Sequence, residues 1–282
     1  MGEGVMLYQV KHGFLGQEYF QQYKEIRKKY KPFFDLSSRI NDLSHSLFYA
    51  MDGKVPTGDL QKVLLSTLYV KSMTSFQGIT ILSSKGMHKE TNIILRTFFE
   101  LFFWIKAIAK NDNFYKKYVL FGELNRIKFA KDLHKYRSSW HEVFGGVEKI
   151  QERIEIYEKE YERLLKDYNL SRNDIEQLQH PYKVAELGNI PETYMVIYSF
   201  LSNDVHSNSL CLDDYFTVDD YKNIKTIDYG PRKFGTERSL SASMYIQAQI
   251  CDTIINTFEL TQYEPEIKEI HDKLIEYGPE FK

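Results

Sequence analysis

The chain has 282 residues, 43% of them apolar, which is enough to bury a substantial core, and its 37 Lys and Arg against 39 Asp and Glu leave a formal net charge of -2. That balance excludes the global basic field of a protein built to coat nucleic acid or an anionic membrane, though not a local patch. Cys211 and Cys251 show no C-x-x-C spacing, the N-terminus lacks a basic segment followed by an apolar core, and the longest apolar run carries Arg96 and Glu100. The expectation is therefore a cytoplasmic globular protein without a disulfide framework, signal peptide or membrane span.

In chain order, hydrophobic periodicity predicts helices. Residues 17–30 are amphipathic, and Pro32 is expected to end that helix because proline disfavours helix in the residue before it. Asp35 or Ser37 is placed to cap a second helix whose buried stripe is Ile40, Leu43, Leu47 and Met51, and Gly53 and Pro56 end it. Residues 59–84 predict a long helix with Leu60, Leu64, Leu68, Phe76, Ile79 and Leu82 on its apolar side, and Gly86 breaks the pattern. Residues 90–109 predict a central helix: the run 93–105, IILRTFFELFFWI, is apolar nearly all round, yet carries Arg96 and Glu100 one turn apart.

From 113 to 167 the chain turns charged and tyrosine-rich, with Ile154, Tyr157, Tyr161, Leu164 and Tyr168 at steps of three and four, and Gly145 and Gly146 at a break. This predicts a helical hairpin inserted at 113–170 in a single domain spanning 1–282, whose tyrosines offer rigid area to a protein partner. After Pro181 and Pro191 a helix over 193–209 follows, then a small β-hairpin within 213–235 turning at Lys222 and Asn223. A last long helix over 236–260 turns Met244, Ile246, Ile250, Ile254 and Phe258 inward, and a short helix around 265–277 ends the pattern. The fold class expected is all-α, a helical bundle with an inserted helical hairpin and one small β-hairpin.

No Walker A loop, G-x-G-x-x-G, H-E-x-x-H, G-x-S-x-G or paired C-x-x-C occurs, so common ATPases, dinucleotide enzymes, zincins, α/β-hydrolases and zinc ribbons are not expected. Three constellations stand out. Arg96 and Glu100 are costly in an apolar helix unless paired and hydrogen-bonded, so they form either a structural pair or a functional arginine with its holder. In the helix over 193–209, Tyr194, Tyr198, Ser202 and His206 fall four apart and stack along one face, beside an apolar row of Ile197, Leu201 and Val205. His206 suits acid–base work near neutral pH or simple structural hydrogen bonding, with Ser202, Asn203 and Asp204 beside it. Asp204, His206, Asp213 and Asp214 match no metal-ligand spacing, and no metal or cofactor is expected. The third, Arg137 to His141 with His134 one heptad before, suits an exposed helical face.

The L-R-x-x-x-E helix at 95–100 with the Y-x-x-x-S-x-x-x-H helix at 198–206 resembles a bacterial all-helical family that is loosely similar to the HEPN superfamily (higher eukaryotes and prokaryotes nucleotide-binding). The resemblance covers 59–109 and 183–260. It implies a HEPN-like bundle acting in a bacterial or phage conflict system, toxin or antiviral defence, as a metal-independent endoribonuclease whose site is shared by two protomers, hence a homodimer or higher homo-oligomer. The surplus of 21 Tyr and 19 Phe is a bias common in AT-rich bacteria and their phages. In that superfamily four to six residues separate an Arg from the His, but here the residues ahead of His206, Phe200, Leu201 and Ser202 among them, include no Arg. The expectation is that Arg96 supplies the phosphate clamp from the facing helix, with Glu100 orienting it, His206 as acid or base, and Tyr198, Ser202, Asn203 and Asp204 holding RNA. The alternative is a non-enzymatic interaction or regulatory module of such a system, binding a protein through the 113–170 hairpin.

Overall fold

The computed structural model describes residues 6–9, 13–16, 19–136, 140–198, 201, 212, 215–220, 222–230 and 235–277. A short strand, β1 (Met6–Gln9), precedes α1 (Tyr19–Lys29) and α2 (Lys31–Ala50). Pro32 begins α2 rather than merely ending α1: it sits in the first turn, where a missing N–H leaves no hydrogen bond unmade and the fixed φ already suits helix. Asp35 and Ser37, expected as caps, therefore lie inside α2. Asp35 pairs with Lys31 one turn earlier, and the Ser37 hydroxyl donates to the Phe33 carbonyl at 2.8 Å. The stripe of Ile40, Leu43, Leu47 and Met51 is buried as expected.

Asp59 caps α3 (Leu60–Ser84) by accepting from the Lys62 N–H at 3.0 Å. Its buried face runs through Leu65, Leu68, Tyr69, Met73, Phe76 and Ile79, whereas Leu60, expected inside, is 53% exposed. Leu60 follows an exposed turn, and its side chain is not covered by the helices that bury the rest of α3. After Gly86, at φ 67°, α4 (His88–Lys110) crosses the interior. Leu95, Phe98, Phe99, Leu101, Phe102, Phe103 and Ile105 are all buried, so three sides of this helix face protein.

The segment after α4 forms an arm. Helices α5 (Phe114–Lys135) and α7 (Val147–Asp167) pack on each other, joined through the one-turn α6 (Trp140–Val143) and by Gly145 and Gly146, both at φ 92°, a region that only glycine enters freely. The row expected to meet a partner turns inward instead. Ile154 and Tyr161 are buried and Tyr157, Leu164 and Tyr168 half-buried, packed with Leu120, Leu124, Ile127 and Ala130 of α5. A two-helix arm has no other core, so its best apolar row is spent on itself.

Three short helices lead back to the bundle: α8 (Arg172–Glu176), held by a capping box of Ser171 and Asp174, then α9 (Pro181–Leu187) and α10 (Pro191–Thr193), which runs into a π-helical turn at Tyr194–Tyr198. Strands β2 (Phe216–Val218) and β3 (Ile224–Tyr229) form the expected hairpin, with Lys222 at φ 64° and Asp219 accepting the Asn223 N–H at 2.8 Å. Sequence reasoning missed β1, which pairs parallel to β3 with Met6 opposite Thr226, giving the sheet order β1-β3-β2. Four residues carry too little periodicity to announce a strand whose partner is more than 200 positions away.

Helices α11 (Thr236–Phe258) and α12 (Glu264–Tyr277) complete the bundle; α11 packs against α2, α3 and α4, and Met244, Ile246, Ile250, Ile254 and Phe258 are buried as expected. Between α2, α3 and α11 lies a polar knot: the Tyr69 hydroxyl donates to the Ser44 carbonyl at 2.9 Å and Gln247 Nε2 to Ser44 Oγ at 3.0 Å. Cys251 lies in the same knot, and burial pushes its thiol up to about 11, so it stays protonated and inert at neutral pH. Among the described residues no helix is long and apolar enough to cross a membrane.

Helix α12 is tied to α11 by His271, whose Nε2 is 2.5 Å from Asp252 Oδ2. That hydrogen bond and the carboxylate charge raise the imidazole above its ordinary 6.5, against the opposing effect of burial. A raised histidine stabilises the fold below its unfolded-state pKa, and the contribution disappears as pH climbs through the folded-state value. Urea unfolding at about pH 5.5 and about pH 8.5 should show Asp252→Asn losing clearly more stability at the lower pH. An equal loss at both would mean that the contact is not linked to protonation.

Candidate functional site

Helix α4 is buried on three sides, and its fourth carries Arg96 and Glu100. Arg ahead of Glu at this spacing is the weaker orientation for a helical ion pair, and the two groups approach only to 3.8 Å. The π-helical turn supplies what they lack. Arg96 Nη2 donates to the Tyr198 hydroxyl oxygen at 2.8 Å, and that hydroxyl donates to Glu100 Oε1 at 2.6 Å, so one phenol bridges cation and anion across 102 positions of sequence. The guanidinium also lies over the Tyr198 ring, 4.9 Å from its centroid.

Burial raises the Tyr198 pKa most, the Glu100 hydrogen bond and charge add to this, and Arg96 opposes them. The phenol therefore stays neutral and keeps its proton on the Glu100 side at any physiological pH. Arg96 Nε is buried and unbonded among the described residues.

The trio lines a cavity of about 420 Å³ whose other walls are largely aromatic. Tyr194 stacks on Tyr198, with ring centroids 4.9 Å apart and planes at 23°, and Tyr182 meets Tyr194 edge-on at 5.4 Å. On the opposite wall Trp104 contacts Phe121 at 5.3 Å and Tyr118 at 4.9 Å. The cleft thus opens where the arm leaves the bundle, with Gln179 and Pro181 at its edge. Side-chain exposures of 17% for Arg96 and 39% for Glu100 show that the pair is not sealed in the core, as an all-round apolar helix had suggested.

The structure brings together Arg96, Glu100 and Tyr198 of the expected site. Ser202, Asn203, Asp204 and His206 lie outside the described residues, as do Val205, Asp213 and Asp214, while Leu201 is buried. Of the third constellation, Arg137 to Ser139 also lie outside them; His141 is 7% exposed with its Nε2 2.7 Å from the Leu133 carbonyl, so it closes the arm's turn instead of lining an exposed face. Among the described residues no three His, Cys, Asp or Glu side chains cluster around a metal-sized site. Sequence reasoning missed the wall residues Trp104, Phe121 and Gln179, and Tyr182 behind Tyr194. Their only advance signal was an aromatic density that also suits core.

A family model described as a family of unknown function, DUF5677, matches residues 62–224, more than half of the chain. The chain belongs to the DUF5677 family. The DUF5677 match runs from the first turns of α3 to the start of β3, so it takes in α4, the arm and the bridging tyrosine together, and stops before α11. No curated protein and no solved structure matches the chain. The HEPN likeness of the two helices stands as a resemblance.

Tyr198→Phe removes the acceptor of Arg96 and the donor to Glu100 in one step, and denaturant unfolding should register a loss of about 1–3 kcal/mol. Glu100→Ala should lose about 1–2 kcal/mol, short of the 3–5 kcal/mol of a fully buried pair, because the carboxylate is partly solvated. The double variant should lose less than the sum by more than about 0.5 kcal/mol. Strict additivity would show that the bridge is not energetically coupled.

Proposed function

We propose that this cleft binds RNA and that the protein is a metal-independent endoribonuclease of a bacterial or phage conflict system, HEPN-like in its chemistry. The observation that supports it is the setting of Arg96: a guanidinium anchored by a neutral phenol, its side chain 17% exposed, on the wall of an open cavity that Phe103, Trp104, Phe121 and Tyr194 also line. Single-stranded RNA is recognised by such a combination, bases stacking on aromatic faces while a guanidinium fork takes the phosphate. Among the wall residues Trp104 and Tyr194 are aromatic groups of this kind, and the 40% exposed Tyr182 packs beside Tyr194.

In this reading the 2′-hydroxyl gives its proton to His206 and attacks the adjacent phosphorus, forming the 2′-O–P bond. The P–O5′ bond breaks, and the leaving oxygen takes a proton from a general acid. Arg96 stabilises the charge that builds on the phosphoryl oxygens. Glu100 would repel a phosphate, so its part is to hold Tyr198, which in turn holds Arg96. With its only proton committed to Glu100 and its ring packed against Arg96 and Tyr194, Tyr198 positions the guanidinium and does not itself hydrogen-bond RNA. Ser202, Asn203 and Asp204 complete substrate binding, and a second protomer completes the site, as the resemblance implies.

A second reading, a non-enzymatic module that binds a protein through the arm, is favoured by the apolar side chains left on its outside: Phe129 is 58% exposed, Tyr136 64% and Val143 70%.

Purified protein incubated with mixed RNA in EDTA should release fragments ending in 2′,3′-cyclic phosphate. Arg96→Ala and His206→Ala should each slow cleavage about 100-fold or more while keeping helical circular dichroism. RNA left intact by the wild type would transfer the assignment to the interaction module.

A further inference from the structure

A second cavity, of about 340 Å³, lies at the other end of α9, where α4, the turn from α9 to α10 and α11 meet. Its lining includes Lys106 and Lys110, one turn apart on α4, with Asn189 at φ 62°, and with Thr253 and Asn256 of α11. Gly188 lets the end of α9 close down on α4: a Cβ there would stand 3.1 Å from Lys106 Cβ and 3.3 Å from the Ala107 backbone N.

The two lysines are not needed elsewhere. Neither has a carboxylate oxygen within 4.0 Å among the described residues, and no carboxylate lines the cavity. Nor are they required to cap α4, because Asn111 Nδ2 already takes the Ala107 carbonyl at 2.8 Å and Gln61 Nε2 the Ile108 carbonyl at 2.8 Å. Asp252, next to the lining residue Thr253 in sequence, is engaged by His271. Lys106 is half-buried, its one short polar contact being Thr253 Oγ1 at 3.5 Å. Burial lowers its pKa most; the Asp252 charge opposes this, and a smaller repulsion from Lys110 adds to it. Two lysines one helical turn apart on the lining of a cavity that no carboxylate lines are a setting that a bound anion would neutralise.

The donor set narrows the ligand. The Thr253 and Thr257 hydroxyl protons go to the Gln249 and Thr253 carbonyls, at 2.8 and 2.7 Å, which leaves two ammonium groups and the amides of Asn189 and Asn256 as donors. Several converging donors with no acid among them suit a tetrahedral oxyanion, and the volume leaves space for a small group attached to it. We propose that this cavity is a binding site for a phosphate group, with Lys106 and Lys110 as its cationic clamp. The site is distinct from the Arg96 cleft and does not rest on the ribonuclease reading.

The test is thermal unfolding of the full chain titrated with inorganic phosphate and, separately, with adenosine 5′-monophosphate, chloride being adjusted to hold ionic strength constant. Phosphate should raise the Tm saturably. Lys110→Ala and Lys106→Met should each weaken the apparent Kd at least about tenfold, the loss of one charge-assisted hydrogen bond, and Arg96→Ala should leave it unchanged. A tighter response to the nucleotide, lost in the same two variants, would assign the site to a phosphomonoester, and an equal response to free phosphate. A Tm that does not saturate, or an affinity that neither lysine substitution changes, would overturn the proposal. Lys110 is exposed, so Lys110→Ala decides the matter even if Lys106→Met does not fold.

Discussion

A guanidinium on a helix buried along most of its surface is the constraint from which most of the architecture follows. Arg96 cannot be sealed in apolar surroundings without a partner, since an isolated buried charge costs more than the helix can recover from packing. Its neighbour Glu100 reaches it poorly, so the compensation arrives as the Tyr198 hydroxyl, neutral and able to donate and accept at once. Delivering that hydroxyl requires α9, α10 and the turn after them to lie over α4, and the side chains that keep the charged face partly solvated are the same ones that form the cleft. Stability and the candidate site are therefore one arrangement: the bridge that makes Arg96 tolerable also fixes where its guanidinium stands on the cleft wall.

Much of this was legible in the residues. The inward rows of α2 and α11 and the central place of α4 follow from period and composition alone, and the four-residue spacing of Tyr194 and Tyr198 is realised as a ring stack. What could not be read follows from context. Whether Pro32 ends one helix or opens the next depends on the turn before it, and both are compatible with the same φ. The arm's tyrosines look alike whether they face a partner or α5; only the pairing of the two helices decides, and it turned them inward. The parallel pairing of β1 with β3 is invisible because strand partners are selected in space. Whether Arg96 is accessible could not be read either: hydrophobic neighbours along a helix do not reveal that one face opens on a cleft.

The position of that cleft gives the arm a mechanical relation to the bundle. Trp104 of α4 is surrounded by Phe114, Tyr118 and Phe121, all from the first two turns of α5. Phe121 also lines the cavity, so the base of the arm and one wall of the cleft are the same residues. The far end of the arm, where Phe129 and Val143 are exposed, is thus joined to the edge of the site by a continuous row of packed side chains.

The π-helical turn at Tyr194–Tyr198 has a consequence for how this stretch can vary. A wide turn of this kind accommodates one residue more than an α-helical turn does, and it is commonly found where a helix has been re-aimed at a site. Taking one residue out of it would regularise the backbone hydrogen bonding and at the same time rotate everything beyond it by about 100°, the angular step of one helical residue. The phenol would then swing away from the guanidinium, and local regularity would be gained at the expense of the bridge. In this segment the count of residues is as strict a requirement as their identity, and a tyrosine in the right chemical context but the wrong phase would leave Arg96 as costly as no tyrosine at all.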